Sequence, residues 1–156
     1  MAIAMTLRRY LAERGIEYDL VTHAPTFSAS RSAQASNVSG DCTAKAVVLK
    51  SRGGYVMAVL PASHHIEMDA LADRLGGGVD FATEDEIGTV FADCEMGAVP
   101  AAGPAYGMGV VMDESLEEQA ELYFEGGDHT TLVHVKGDQF RKLVGAAEHA
   151  RFSRHD

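Results

Sequence analysis

Apolar residues recur along the chain in two rhythms, and the alternation between them predicts short helices mixed with paired strands. Leu7, Tyr10 and Leu11 share one face at helical spacing, with Thr6 placed to cap the helix and Gly15 to end it. Tyr18 and Leu20 then alternate with Glu17 and Asp19, the period of a short half-buried strand. His23–Ser28 reads as a loop. Ser28 or Ser30 can open a second helix with Ala29, Ala33 and Ala35 packed inward, ending before Gly40. Two strong strands follow, Ala44–Leu49 and Tyr55–Leu60, joined by the turn signal Ser51–Gly54 and closed by Pro61.

Met68, Leu71, Ala72 and Leu75 return to helical spacing until Gly76-Gly77-Gly78 stops the helix. Val79–Phe81 fits a short strand, and Thr83–Glu86 is a capping box opening a helix with Ile87, Val90 and Phe91. Cys94–Tyr106, C-E-M-G-A-V-P-A-A-G-P-A-Y, holds more Gly and Pro than a helix or a central strand tolerates. Such a loop is either a surface turn or a place where backbone approaches a ligand with no Cβ in the way. Gly109–Met112 reads as a strand, and Ser115–Glu118 as a second capping box or a plain turn. Leu122–Phe124 and Thr131–Val135 are strands joined by Gly126-Gly127-Asp128, and Asp138 caps a last helix carrying Phe140, Leu143 and Val144. The polar tail 148–156 is expected to fray.

Hairpin-linked strands among short helices predict an α+β fold, with a mixed, largely antiparallel sheet and flanking helices. Residues 1–147 are expected to form one domain and 148–156 a C-terminal tail. Neither a dinucleotide-binding G-x-G-x-x-G nor a P-loop is present.

With 156 residues, 46% hydrophobic and 23% charged, the composition is that of an ordinary globular domain. No apolar run approaches a membrane span, and the N-terminal charges follow the apolar residues, so neither a membrane partner nor a secretory signal is expected. The two cysteines, Cys42 and Cys94, do not suggest a disulfide scaffold, which leaves the cytoplasm as the expected location. A net charge of −10 argues against a general nucleic-acid binder. It leaves room for a local patch, for which Arg31, Lys45, Lys50, Arg52, Lys136, Arg141 and Lys142 are available.

Lys45 stands inside the apolar strand A-K-A-V-V-L, on the face of Val47 and Leu49. Burial there disfavours its charge unless a polar group or anion compensates, so it is either a pocket lysine or an edge lysine reaching for water. His64-His65 with Glu67 and Asp69 invites a metal reading, but the spacing is not that of a zinc motif and a solvated loop is the simpler account. His129, after the Gly126-Gly127 turn, or His134 in the next strand has the chemistry for acid–base work. Cys94 has no basic neighbour in sequence to activate it. Neither metal nor cofactor is expected.

Five segments in this order resemble the YbaK family of aminoacyl-tRNA deacylases, found also as the editing insertion of bacterial prolyl-tRNA synthetases. They are T-A-K-A-V-V-L-K (Thr43–Lys50), G-Y-V-M-A-V-L-P (Gly54–Pro61), G-A-V-P-A-A-G (Gly97–Gly103), V-M-D-E-S-L (Val111–Leu116) and Y-F-E-G-G-D-H (Tyr123–His129). The resemblance runs from about Leu7 to Val144 and implies a YbaK-like single domain. It implies that Lys45 lines an editing pocket, and that Gly97 to Gly103, with Val99, Pro100 and Ala101, lie around the aminoacyl ester. Asp128 and His129 are expected near the amino acid, and Phe27 and Ser28 near the terminal adenosine. Ala101-Ala102 stand where a related pattern has a bulkier pair, so an enlarged pocket or a changed preference is expected.

The implied activity is hydrolysis of a mischarged aminoacyl-tRNA carrying Ala, Cys or Ser, with tRNA-Pro as the expected tRNA. An activated ester needs a positioned water and donors for the developing oxyanion rather than a nucleophilic side chain. A synthetase or an elongation factor would be the protein partner. A non-catalytic module binding tRNA or a small ligand, and a hydrolase of some small ester or thioester, are the alternatives.

Overall fold

A computed structural model describes residues 3–156; Met1 and Ala2, where the expected domain begins, lie outside the described residues. Five helices are present among the described residues: α1 (Met5–Glu13), α2 (Ala29–Ala35), α3 (Met68–Leu75), α4 (Glu84–Val90) and α5 (Gly137–Val144). Strands β1 (Asp19–Thr22), β2 (Thr43–Ser51), β3 (Gly54–Pro61) and β4 (His64–Ile66) lie in the first half, with β5 (Asp80–Phe81) after α3. β6 (Gly109–Asp113), β7 (Glu121–Glu125), β8 (Thr131–Lys136), β9 (Glu148–Ala150) and β10 (Ser153–His155) complete the chain.

The main sheet runs β1-β8-β7-β2-β3-β6-β9, with β5 also on β2. The hairpins β2–β3 and β7–β8 are antiparallel, as are β1–β8 and β2–β5, while β2–β7, β3–β6 and β6–β9 are parallel. The α+β class with a mixed sheet and flanking helices is therefore the observed architecture. No helix among the described residues is long and apolar enough to cross a membrane.

Strand alternation splits the apolar residues between two cores. Ala44 and Val48 of β2 join Leu7, Leu11, Phe124, Phe140 and Leu143 in the larger one. Leu49 joins Leu60, Leu71 and Phe152 on the opposite face, with Val47 packed against them.

Several local expectations are corrected. α1 starts from Ala4, which has no side-chain acceptor to cap it; Thr6 lies inside the helix, and its N–H donates to Asp93 Oδ2 at 2.8 Å. β1 is an edge strand whose Leu20 is 46% exposed, so alternation alone overstated its burial. In α2 it is Ser32, not Ala35, that turns inward beside Ala29 and Ala33. Ser115 does not cap a helix: Asp113 caps a single 3-10 turn, which decides for the turn. Asp138 lies in the first turn of α5, with Lys136 at the cap position and no side-chain cap bond.

The largest correction is the tail. β9 extends the main sheet beside β6, β10 pairs with β4, and Phe152 is 1% exposed. His64 and His65 are thus in a strand, not a solvated loop; His65 Nδ1 lies 2.8 Å from Asp156 Oδ1. Fraying was the wrong expectation because one buried phenylalanine anchors a segment that is otherwise polar.

The capping box is observed as read: Thr83 Oγ1 accepts from Glu86 N at 3.2 Å, and Glu86 Oε1 accepts from Thr83 N at 2.9 Å. Thr83→Ala removes one of these bonds and is expected to cost about 1 kcal/mol in urea unfolding. A loss below about 0.3 kcal/mol would show that packing alone holds α4.

Candidate functional site

The site begins with a gap in the sheet. On one edge of β2, pairing with β7 ends at Ala44, and pairing with β5 begins only at Leu49. Lys45–Val48 therefore has no strand beside it on that edge. Ala82 N–H reaches the Val48 carbonyl at 3.0 Å, and alternation puts the Ala46 peptide groups on the same open edge. A cavity of about 660 Å³ fills the gap. Ala46, Val48, Ile87 and Val99 give it an apolar wall, and Ser28, Lys45 and Glu125 bring polar groups. A concave, mainly apolar site with few polar groups is the usual form of a small-ligand pocket.

The rim is apolar and uncovered: Phe27 is 84% exposed, Phe81 57% and Met96 49%. Phe27 is held out by the turn into α2, where Ser28 Oγ accepts from Arg31 N and so caps the helix.

Gly97 forms the opposite wall. Its φ of +84° lies in the left-handed region, and an added Cβ would stand 3.1 Å from the Phe27 carbonyl oxygen and 3.2 Å from His129 Cε1. Only a glycine lets this backbone sit between the two. His129 packs behind it, 7% exposed and itself at φ +62°, with Nε2 against the Met96 carbonyl oxygen. Positive φ outside glycine is uncommon and is often kept at functional sites.

Glu125, at the end of β7, was not singled out in the sequence. Its residue is 2% exposed, and no hydrogen bond of ordinary geometry reaches either carboxylate oxygen; the Ser32 hydroxyl, paired with Thr26 Oγ1 at 2.6 Å, stands near without satisfying them. Burial pushes its pKa up to about 7; the nearby Ser32 hydroxyl opposes the shift and the Asp128 charge adds to it. The available signal was an acid in a strand directly before Gly126-Gly127, with no side chain there to cover it.

Lys45 is half-buried, and burial lowers its pKa, with the Asp156 carboxylate pulling the other way. Its Nζ donates to the His64 carbonyl at 2.5 Å. The β4–β10 pair, and Asp156 N–H bonded to the Ser63 carbonyl, fix that acceptor, so the tail buttresses the lysine. Cys94 is not an activated thiol: burial pushes it up to about 11.

Of the residues expected at the site, Phe27, Ser28, Lys45, Gly97 and Val99 line one cavity, and His129 stands directly behind Gly97. The others are not brought to it. Gly103 is buried against β6, where a Cβ would meet Val110 Cγ2 at 2.7 Å. Pro100 is buried, and Ala101 and Ala102 are fully buried in the larger core, so they do not enlarge the pocket. Asp128 ties the β7–β8 turn, accepting from Thr130 N–H and the Thr131 hydroxyl.

A family model described as the aminoacyl-tRNA editing domain matches residues 23–143. Among solved structures, a proposed trans-editing enzyme for prolyl tRNA synthetase is 22% identical, with a TM-score of 0.83 over 98% of this chain and 99% of that one. A scaffold protein used for epitope backbone grafting is 18% identical, with a TM-score of 0.82 over 99% and 100% of the two chains. A proposed signal transduction protein from Marinobacter aquaeolei VT8 is 17% identical; its TM-score is 0.78 over 95% of this chain and 30% of that one. At these identities the likenesses establish a shared fold. Among curated proteins none matches.

Proposed function

The chain belongs to the aminoacyl-tRNA editing domain family, and from that premise we propose that it is a trans-editing deacylase. It hydrolyses the ester of a tRNA mischarged with a small amino acid such as Ala, Cys or Ser, with tRNA-Pro as the first candidate. The observation that carries this reading is the apolar cavity at the open edge of β2, with Lys45 on one side and the Gly97 backbone on the other.

In this reading the aminoacyl group enters the cavity and a water attacks the ester carbonyl. Lys45 has ammonium protons to spare beyond the one given to His64, and offers them to the substrate or to the developing oxyanion. The Gly97 backbone closes on the ester from the opposite wall, while Gly103 keeps a packing role. Phe27, beside Phe81 and Met96, offers the terminal adenine a face to stack on. The reaction belongs to the cytoplasm, with a synthetase or elongation factor delivering the tRNA.

The test is a panel of Ala-, Ser- and Cys-tRNA-Pro beside Pro-tRNA-Pro, followed by release of the amino acid. Selective turnover of one small amino acid is expected. No turnover of any ester would sink the enzyme and leave a binding module. Phe27→Ala is expected to raise KM roughly 5- to 10-fold with kcat little changed, the loss of about one stacked base. Equal KM values would remove Phe27 from the adenosine site.

A further inference from the structure

Three buried polar atoms without partners lie close together at the cavity: both carboxylate oxygens of Glu125, which lines it, and Nδ1 of His129 behind Gly97. Glu125 Oε2 and His129 Nδ1 are 3.8 Å apart, about 1 Å beyond a hydrogen bond. The two side chains are 3% and 9% exposed. Orphaned polar atoms are costly in isolation, and here a small closure would satisfy a donor and an acceptor together.

The other side of the imidazole fixes the chemistry. Nε2 meets the Met96 carbonyl oxygen, which can only accept, so Nε2 carries a hydrogen. A neutral ring then leaves Nδ1 bare, and it faces the Glu125 carboxyl group. In its carboxylic acid form Glu125 can donate to that nitrogen. Such a bond holds the ring in one orientation, with Nε2–H aimed at Met96. Because this nitrogen is already engaged, the ring braces the wall rather than acting as a free base.

We infer that Glu125 is a positioning residue: it holds a proton against His129 Nδ1, so that Nε2–H clamps the Met96 carbonyl and with it the Gly97 wall of the cavity. The contact is intimate, since a Cβ on Gly97 would touch the His129 ring, and Phe27 lies over the same ring at 5.9 Å between centroids. The turn that follows is closed by Ala98 N–H donating to the Glu95 carbonyl at 3.0 Å, which gives a local reporter of the clamp. The consequence for catalysis rests on the deacylase reading; the clamp itself does not.

The experiment compares wild type with Glu125→Ala and Glu125→Gln, with thermal melts to confirm folding. Glutamine keeps a donor for Nδ1, so the conservative variant is the rescue arm. In nitrogen NMR, wild type and Glu125→Gln are expected to show the Nε2–H form of His129, and Glu125→Ala a mixture of tautomers. Amide exchange at Ala98 is expected to quicken roughly 10-fold or more in Glu125→Ala, with the β2–β3 hairpin unchanged. In deacylation, Glu125→Ala is expected to lose roughly 10-fold or more in kcat with KM moved less, and Glu125→Gln to stay within about 5-fold of wild type.

An unchanged ring and unchanged Ala98 exchange in Glu125→Ala overturn the inference. So does a Glu125→Gln variant as inactive as Glu125→Ala with its ring still in place, which would put the carboxylate in the chemistry itself. If wild type deacylates nothing, the deacylase reading fails, and the ring and exchange measurements still decide the clamp.

Discussion

Lys45→Met is expected to lower kcat/KM for the mischarged tRNA by roughly 100-fold or more, the loss of about 2.7 kcal/mol of transition-state stabilisation. The substitution keeps an unbranched stem of similar length and removes the ammonium group. Lys45 is half-buried and donates to the His64 carbonyl, so it is held at the cavity rather than sweeping through solvent. A cation fixed there needs no reorganisation when charge develops on the ester oxygen. Lys45→Arg is not expected to rescue the activity, because a planar fork cannot replace a compact ammonium in the same space. Single-turnover deacylation checks the effect, with a thermal melt as control. Activity within about threefold of wild type would remove Lys45 from the transition state and return it to the status of an edge lysine.

Tail and lysine are linked in a way that the sequence hides. The β2–β3 hairpin was legible because eight register pairs repeat one alternation between a Ser51–Gly54 turn signal and Pro61. The capping box of α4 was legible because its two bonds are local. The β4–β10 pair was not, since its three register pairs join residues 87 to 91 positions apart and neither segment carries an apolar rhythm. Lys45 stood out as a charge within an apolar strand, yet its acceptor, the His64 carbonyl, belongs to that unread pair.

Composition and position misled differently within the Gly-Pro loop. Gly97 and Gly103 look alike in sequence, but one has a positive φ at the cavity and the other a neighbour where its Cβ would be. Ala101 and Ala102 are small because the larger core closes over them, not because a ligand needs room. The edge that opens the cavity was invisible for a related reason. It depends on β7 and β5 each covering only two residues of β2, a matter of register between distant segments.

Glu125→Gln is expected to make the protein more stable at pH 8, by up to about 3 kcal/mol, and to leave its stability at pH 4 nearly unchanged. Burial raises the Glu125 carboxyl from 4.5 to about 7 in the folded chain. A carboxyl raised in this way favours folding fully below about 4.5, and that contribution is lost as pH rises through 7. Above 7 the folded chain holds a buried carboxylate that the unfolded chain leaves in water. Each unit of difference is worth about 1.4 kcal/mol, which sets the upper bound. Glutamine is neutral throughout and removes the penalty without opening a cavity. For a chain of this length the gain corresponds to about 6–10 °C in Tm at pH 8. Urea unfolding of both proteins at pH 4, 6 and 8 checks it, and the curves should separate between pH 4.5 and 7. A constant gap at all three values would mean that the effect is packing rather than charge. A destabilised variant at pH 8 would mean that the carboxylate has a strong partner in the folded chain, the Ser32 hydroxyl or His129 Nδ1. Stability given up at neutral pH for a buried acid is what a site residue, rather than a core residue, leads one to expect.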